Sequence, residues 1–147
     1  MEVLICAQWE LETLAKKPFD TPTALISIGD PGTPPPALRH QPRYILRLEF
    51  NDTRVLDARQ ALTPEQAEQI AAFVYAHKDS VQTLICQCGF GCSRSAAVAA
   101  AVKEHFTHDG LGLFTDGEHH PNILVFSAVL KALEKQAYDL ERRGHDV

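Results

Sequence analysis

The segment "CQCGFGCSRSAAVAAAV", residues 86–102, narrows more than any other what this chain can fold into. The run "TLICQC", residues 83–88, is apolar until its end and reads as a buried strand. "RSAAVAAAVKEHF" follows and reads as a helix, with one face small enough to pack closely on a sheet. Only a tight turn containing Gly89 and Gly91 separates the two. Arg94 then stands at the head of the helix, where the positive end of the helix dipole disfavours a cation unless an anion joins it.

The remaining chain repeats the alternation of strand and helix. "VLICA", "TALISIG" (residues 23–29) and "YILRLEF" (residues 44–50) have strand character, and "WELETLAKK" has weak helical spacing that puts Trp9 in the core. The Pro/Gly-rich "GDPGTPPP" forces a loop. Thr63, Pro64 and Gln66 form a helix-start signature, followed by an Ile70, Phe73, Val74 core stripe. "HDGLGLFTDGEHH" reads as a loop, and a closing helix begins at Pro121. The fold class expected is α/β, with a mainly parallel central sheet flanked by helices, in one domain over 1–147. In such a sheet ligands bind beyond the carboxyl ends of the strands, where Cys88 stands.

Composition removes several function classes. At 147 residues, 45% hydrophobic and 22% charged, the chain has enough apolar material for a core without staples. A net charge of −5 argues against a nucleic-acid partner. No apolar run approaches the roughly 20 residues that span a bilayer, so no membrane partner is expected. The amino-terminal stretch lacks a secretory pattern and the chain reads as cytoplasmic. In that compartment clustered cysteines point to reactivity rather than to disulfides. The C-x-C-x-x-x-C spacing of Cys86, Cys88 and Cys92 is not that of a zinc site, even with His119 and His120 in the chain. Neither metal nor cofactor is expected.

The loop itself is a chemical device. A turn that runs into a helix amino terminus directs backbone N–H groups at one point and makes an anion nest of Gly89, Phe90, Gly91, Cys92, Ser93, Arg94 and Ser95. Arg94 adds a planar fork matched to two phosphate oxygens. A thiol at the base of that nest is favoured as thiolate, which makes Cys88 the candidate nucleophile. Ser95 is placed to donate a hydrogen bond to the sulfur.

Cys88-Gly-Phe-Gly-Cys-Ser-Arg94-Ser95, after a strand and before a helix, resembles the C-x-x-G-x-x-R-S signature of the cysteine-dependent tyrosine and dual-specificity phosphatases. "LISIGDPG", "LRLEFND", "TPEQAEQIAAFV" and "HPNILVF" resemble small bacterial members. The resemblance implies hydrolysis of a phosphorylated substrate, a phosphoprotein or a small phosphomonoester. Cys88 attacks phosphorus, an acid protonates the leaving oxygen, and water releases the cysteinyl phosphate. "FND" resembles the acid segment and nominates Asp52, whereas Asp57 lies closer to the usual separation from the cysteine. It also implies that Asn122 braces the nucleophile loop.

One position departs from the pattern: Gln87 stands where the resemblance expects His before the nucleophile. Glutamine donates hydrogen bonds but carries no charge. A binding module that keeps the nest without turnover is therefore the alternative reading. A sulfurtransferase, which also holds a cysteine in an anion loop, fits the Arg94 spacing less well. Cys92 is a candidate to trap oxidised Cys88, while Cys86 reads as small core filler. Arg39, His40, Arg43 and Arg54 lie on loops that could rim the site, although such charges usually only solvate a surface.

Overall fold

In the computed structural model, which describes residues 1–55 and 57–145, the strands are β1 (Glu2–Cys6), β2 (Thr23–Gly29), β3 (Tyr44–Glu49) and β4 (Thr83–Gln87). They form one parallel sheet in the order β1-β4-β2-β3, so β4 is interior and all four carboxyl ends lie along one edge. The interior strands β2 and β4 are buried over almost their whole length, as continuous apolar runs in a two-sided sheet should be.

Helices α2 (Pro64–His77), α3 (Arg94–Thr107) and α4 (Ile123–His145) cover one face. The core between them and the sheet contains Ile26, Ile28, Phe50, Ile70, Val74, Val98, Val129 and Leu133. The other face is covered by α1 (Gln8–Leu14), which packs Leu11 onto Leu25 and Ile85, with Phe19 and Leu38 at the margin. The sheet, its flanking helices and the βα unit at 83–107 agree with the sequence reading.

Local chemistry explains the boundaries. The Thr63 hydroxyl accepts from the Gln66 amide at 3.1 Å, and the Gln66 carboxamide accepts from the Thr63 amide at 3.0 Å, closing the capping box. Residues 96–101 of α3 are fully buried, and all but Val98 are alanine; so small a surface lets α4 and the sheet approach closely.

Three expectations are corrected. Trp9 is 70% exposed rather than core, because Ala7, Leu11 and Ala15 recur every four residues on the inward stripe and position 9 faces away. The closing helix starts at Ile123, where Asn122 Oδ1 accepts from the Leu124 and Val125 amides; Pro121 precedes that cap. The 109–120 loop contains a 3₁₀ turn, Gly110–Phe114. No helix among the described residues is long and apolar enough to cross a membrane.

That turn presses on α3 so closely that a Cβ at Gly110 would lie 2.0 Å from the Ala100 carbonyl oxygen. Gly110→Ala should cost about 1–3 kcal/mol, read as a lower urea midpoint at unchanged slope. Gly112→Ala, with nothing within 4 Å of the added carbon, should stay within about 0.5 kcal/mol of the parent.

Candidate active site

Cys88 is the first residue beyond β4, and its amide continues the ladder to the Cys6 carbonyl at 3.4 Å. Its side chain is almost fully buried, with Sγ 3.0 Å from Ser95 Oγ. The loop then turns back across the end of β1, where the Gly89 carbonyl accepts from the Gln8 amide at 3.1 Å. Gly91 takes φ +70°, and a Cβ there would meet the Ala7 nitrogen at 2.6 Å, so both backbone sign and space require glycine. At Gly89 neither condition applies: its φ is not positive and nothing lies within 4 Å of an added Cβ.

The polarity of this loop is one-sided. Two further carbonyls are tied back, Cys92 O to the His120 amide at 2.8 Å and Ser93 O to the Asn122 and Ala97 amides at 3.3 and 2.9 Å. Among the described residues the N–H groups of 89–96 are paired with no acceptor. A run of unpaired amides opening a helix is the backbone half of an anion site.

Arg94 is the first residue of α3 and its side chain is only 10% exposed. Nη1 donates to the Phe50 carbonyl at 2.7 Å and lies 2.9 Å from Asp30 Oδ1. Nε is buried, with no partner among the described residues. Both Nη1 hydrogens are thus engaged, and the Nε–Nη2 edge is left for a bidentate acceptor.

Asp52 stands beside the loop. Its Oδ1 accepts from Ser93 Oγ and from Asn122 Nδ2, each at 2.8 Å, while no partner is paired with Oδ2 among the described residues. Asn122, fully buried, also donates to the Thr53 carbonyl at 2.8 Å and caps α4, so one carboxamide ties together the Asp52 segment, the nest and the last helix. Asp57, at φ +60°, lines a groove of about 820 Å³ between α2 and α4 that no residue of 88–95 borders.

The remaining candidates separate. Arg54 donates to the carbonyls of His120 and Pro121 and bridges two rim loops. Arg43 and His40 lie instead near the amino end of β2, where the Arg43 amide donates to the Thr23 carbonyl. Arg39, exposed, is next to His40 in the chain. His119 pairs with Asp116 at 2.6 Å, and among the described residues no group of three or more His, Cys, Asp or Glu could hold a metal ion. Burial pushes the Cys86 thiol far up and the Cys6 thiol, aided by Glu10, up to about 11. Cys92 is partly exposed, and Phe90, at 89% exposed, stands out from the loop.

Sequence reasoning missed Asp30, Ser27 and Arg47. Asp30 directly follows β2, a neighbour of β4, so parallel pairing brings it to Arg94. Gln87 is buried, and its Oε1 accepts from Ser27 Oγ at 2.5 Å; Ser27 Oγ in turn accepts from Arg47 Nη1 at 2.8 Å.

This fold is that of the cysteine-dependent tyrosine and dual-specificity phosphatases. The chain is similar to human DUSP28 at 17% identity and TM-score 0.59, over 93% of this chain and 94% of that one. It is similar to a mouse putative dual specificity phosphatase complexed with zinc tungstate, at 18% identity and TM-score 0.60, over 94% and 86%. The human tyrosine phosphatase-like serine/threonine/tyrosine-interacting protein follows at 17% and 0.55, over 91% and 86%. No family model matches the sequence, and no curated protein sequence matches it.

Asn122→Ala removes both the cap and the bridge from Asp52 to the Thr53 backbone, and should lower stability by about 2–3 kcal/mol. Asn122→Ser, which keeps a capping oxygen, should recover about 1 kcal/mol of that loss in urea unfolding.

Proposed function

We propose that the protein is a phosphomonoesterase working through a cysteinyl-phosphate intermediate. One observation carries the reading: among the described residues the buried Arg94 Nε and the amides of 89–96 have no partner, and they open the loop and helix that follow a buried thiol already hydrogen-bonded to the Ser95 hydroxyl. Donors so placed match the charge of a phosphoryl group and cost no reorganisation when it arrives.

In this reading Arg94 Nε and Nη2 bind two phosphoryl oxygens while the 89–96 amides bind the others. Cys88 Sγ attacks phosphorus, the S–P bond forms, and the P–O ester bond breaks in line. Asp52 gives its proton, carried on the unpartnered Oδ2, to the leaving oxygen; Ser93 and Asn122 hold the other oxygen and thereby the orientation of the carboxyl group. Water then attacks phosphorus, Asp52 takes its proton, and the S–P bond breaks. The Ser95 hydroxyl, 3.0 Å from sulfur, stabilises the departing thiolate.

A second reading has a specific observation behind it. Neutral Gln87 stands in the place of His and Asp30 is already paired with Arg94, which favours an anion-binding module without turnover.

Turnover of para-nitrophenyl phosphate separates the two. Cys88→Ser should abolish it and Arg94→Lys should lower kcat/KM by about 10²–10³-fold, because a point charge replaces the fork. Asp52→Asn should cost about 10²–10⁴-fold, most with alkyl leaving groups, whereas Asp57→Asn should leave both rates unchanged. Vanadate binding without wild-type turnover would instead support the module.

A further inference from the structure

Gln87 sits in a row that the sequence did not reveal. The parallel register sets Cys6 of β1, Gln87 of β4, Ser27 of β2 and Arg47 of β3 side by side across the whole sheet, directly before the carboxyl ends of the strands. Three of the four are polar and linked in sequence: Arg47 Nη1 to Ser27 Oγ at 2.8 Å, and Ser27 Oγ to Gln87 Oε1 at 2.5 Å. Ser27 and Gln87 are each 1% exposed, so the chain runs through a dry interior under the nucleophile loop.

A polar line of this kind is costly to bury unless every member has a defined partner. Arg47 completes it. Its Nη2 donates to the carbonyls of Thr33 and Pro34, which fixes the guanidinium between the loop that carries Asp30 and the row. Gly29 leaves the space, since a Cβ there would lie 2.2 Å from Nη2. Two features the functional reading leaves unexplained, a buried serine in an apolar strand and an inward arginine on an edge strand, thus share one explanation.

Resting on the assignment of Cys88 as nucleophile, we propose that Arg47 is a positioning residue, which supplies through Ser27 and Gln87 the fixed positive charge that a histidine before Cys88 would otherwise provide. Ser27 holds the Gln87 oxygen and so fixes the rotamer of the residue to which Cys88 is bonded. The guanidinium stays charged throughout the working pH range, whereas a histidine there would lose its charge near neutrality.

The charge stands two hydrogen bonds from the Gln87 carboxamide, one of 2.8 Å and one of 2.5 Å. A fixed cation held there favours a nearby anion over its neutral acid, and the experiment below reads that effect directly. Other groups around the loop are Cys92 within it, Cys6 and Cys86 on the sheet, Glu10 on α1, Arg94 on α3, Asp30, Asp52, Arg54 and His120 on the flanking loops, and Glu49 on β3. Glu49 Oε1 accepts from the Gly32 amide at 2.6 Å. All are retained in the variants below.

The test follows alkylation of Cys88 by iodoacetamide across pH 4.5–9, read by mass spectrometry of the 79–94 peptide, which needs no turnover. Arg47→Met should raise the midpoint by about one unit. Arg47→Lys, which keeps the charge, should move it by less than half as much. Ser27→Ala, which cuts the link but keeps the cation, should raise it by a smaller step, and Gln87→His in the Arg47→Met background should bring it back. Arg43→Met, on the same side of the chain but at the amino end of β2, should leave it unchanged. An unshifted midpoint in folded Arg47→Met, or an equal shift in Arg43→Met, overturns the proposal. Should Arg47→Met fail to fold by circular dichroism, an unshifted Ser27→Ala overturns it as well. Wild-type turnover with no shift in Arg47→Met removes the relay and leaves the phosphatase; the shift without turnover does the reverse.

Discussion

Arg94 donates from Nη1 to the backbone carbonyl of Phe50 at 2.7 Å, and the arrangement of the site follows from that bond. A guanidinium has five N–H donors in a rigid plane. Fixing one nitrogen against the end of β3 fixes the direction of the whole plane. With Asp30 on the same nitrogen, the ion pair orients the fork without occupying the edge that a tetrahedral anion would use. Because the bond joins α3 to the segment before Asp52, the free guanidinium edge and the candidate acid are positioned by the same contact.

The parallel sheet makes that contact available. With β4 between β1 and β2, the loop after β4 meets the ends of both neighbours. Cys6 and Ala7 close one side of it, through the tight approach at Gly91, and Asp30 closes the other. The third side is formed from the far end of the chain, where the 120–122 segment takes the carbonyls of Cys92 and Ser93. With those oxygens held by the 120 and 122 amides, the N–H groups of 89–96 are left without acceptors among the described residues. Backbone polarity of this kind is set by partners distant in sequence.

That division decides what could be read from the residues. Local signals carried the strands at 23–29 and 44–50, the Thr63–Gln66 box, the βα unit and the roles suggested for Cys88, Arg94 and Ser95, because each depends on neighbours within a few positions. The strand order did not follow, since an apolar run states that a strand is buried but not beside which partner. Asp30, Ser27 and Arg47 were invisible for that reason: each matters through register with another strand. Trp9 failed differently. Its type favours burial, but a helix of seven residues has one inward stripe, and that stripe was already filled by alanine and leucine.

The substitution at position 87 then gains a physical context. A carboxamide in place of an ionisable ring carries no charge beside the candidate nucleophile, and with an apolar strand behind it the difference would stand uncompensated. Here the strand behind it holds a serine, and the strand beyond holds an arginine in register. An edge strand is the one place in this sheet where a guanidinium can keep part of its surface in solvent while its tip reaches inward. Burial lowers the Arg47 pKa from its usual value, Glu49 works against that, and nearby Arg94 adds to it. Guanidinium starts so far above neutrality that the charge survives such pressure. A lysine or histidine buried to the same depth would be nearer to losing its proton. The row therefore suits arginine at its outer end, a hydroxyl that both accepts and donates in the middle, and an acceptor at its inner end, which is the order the sheet presents.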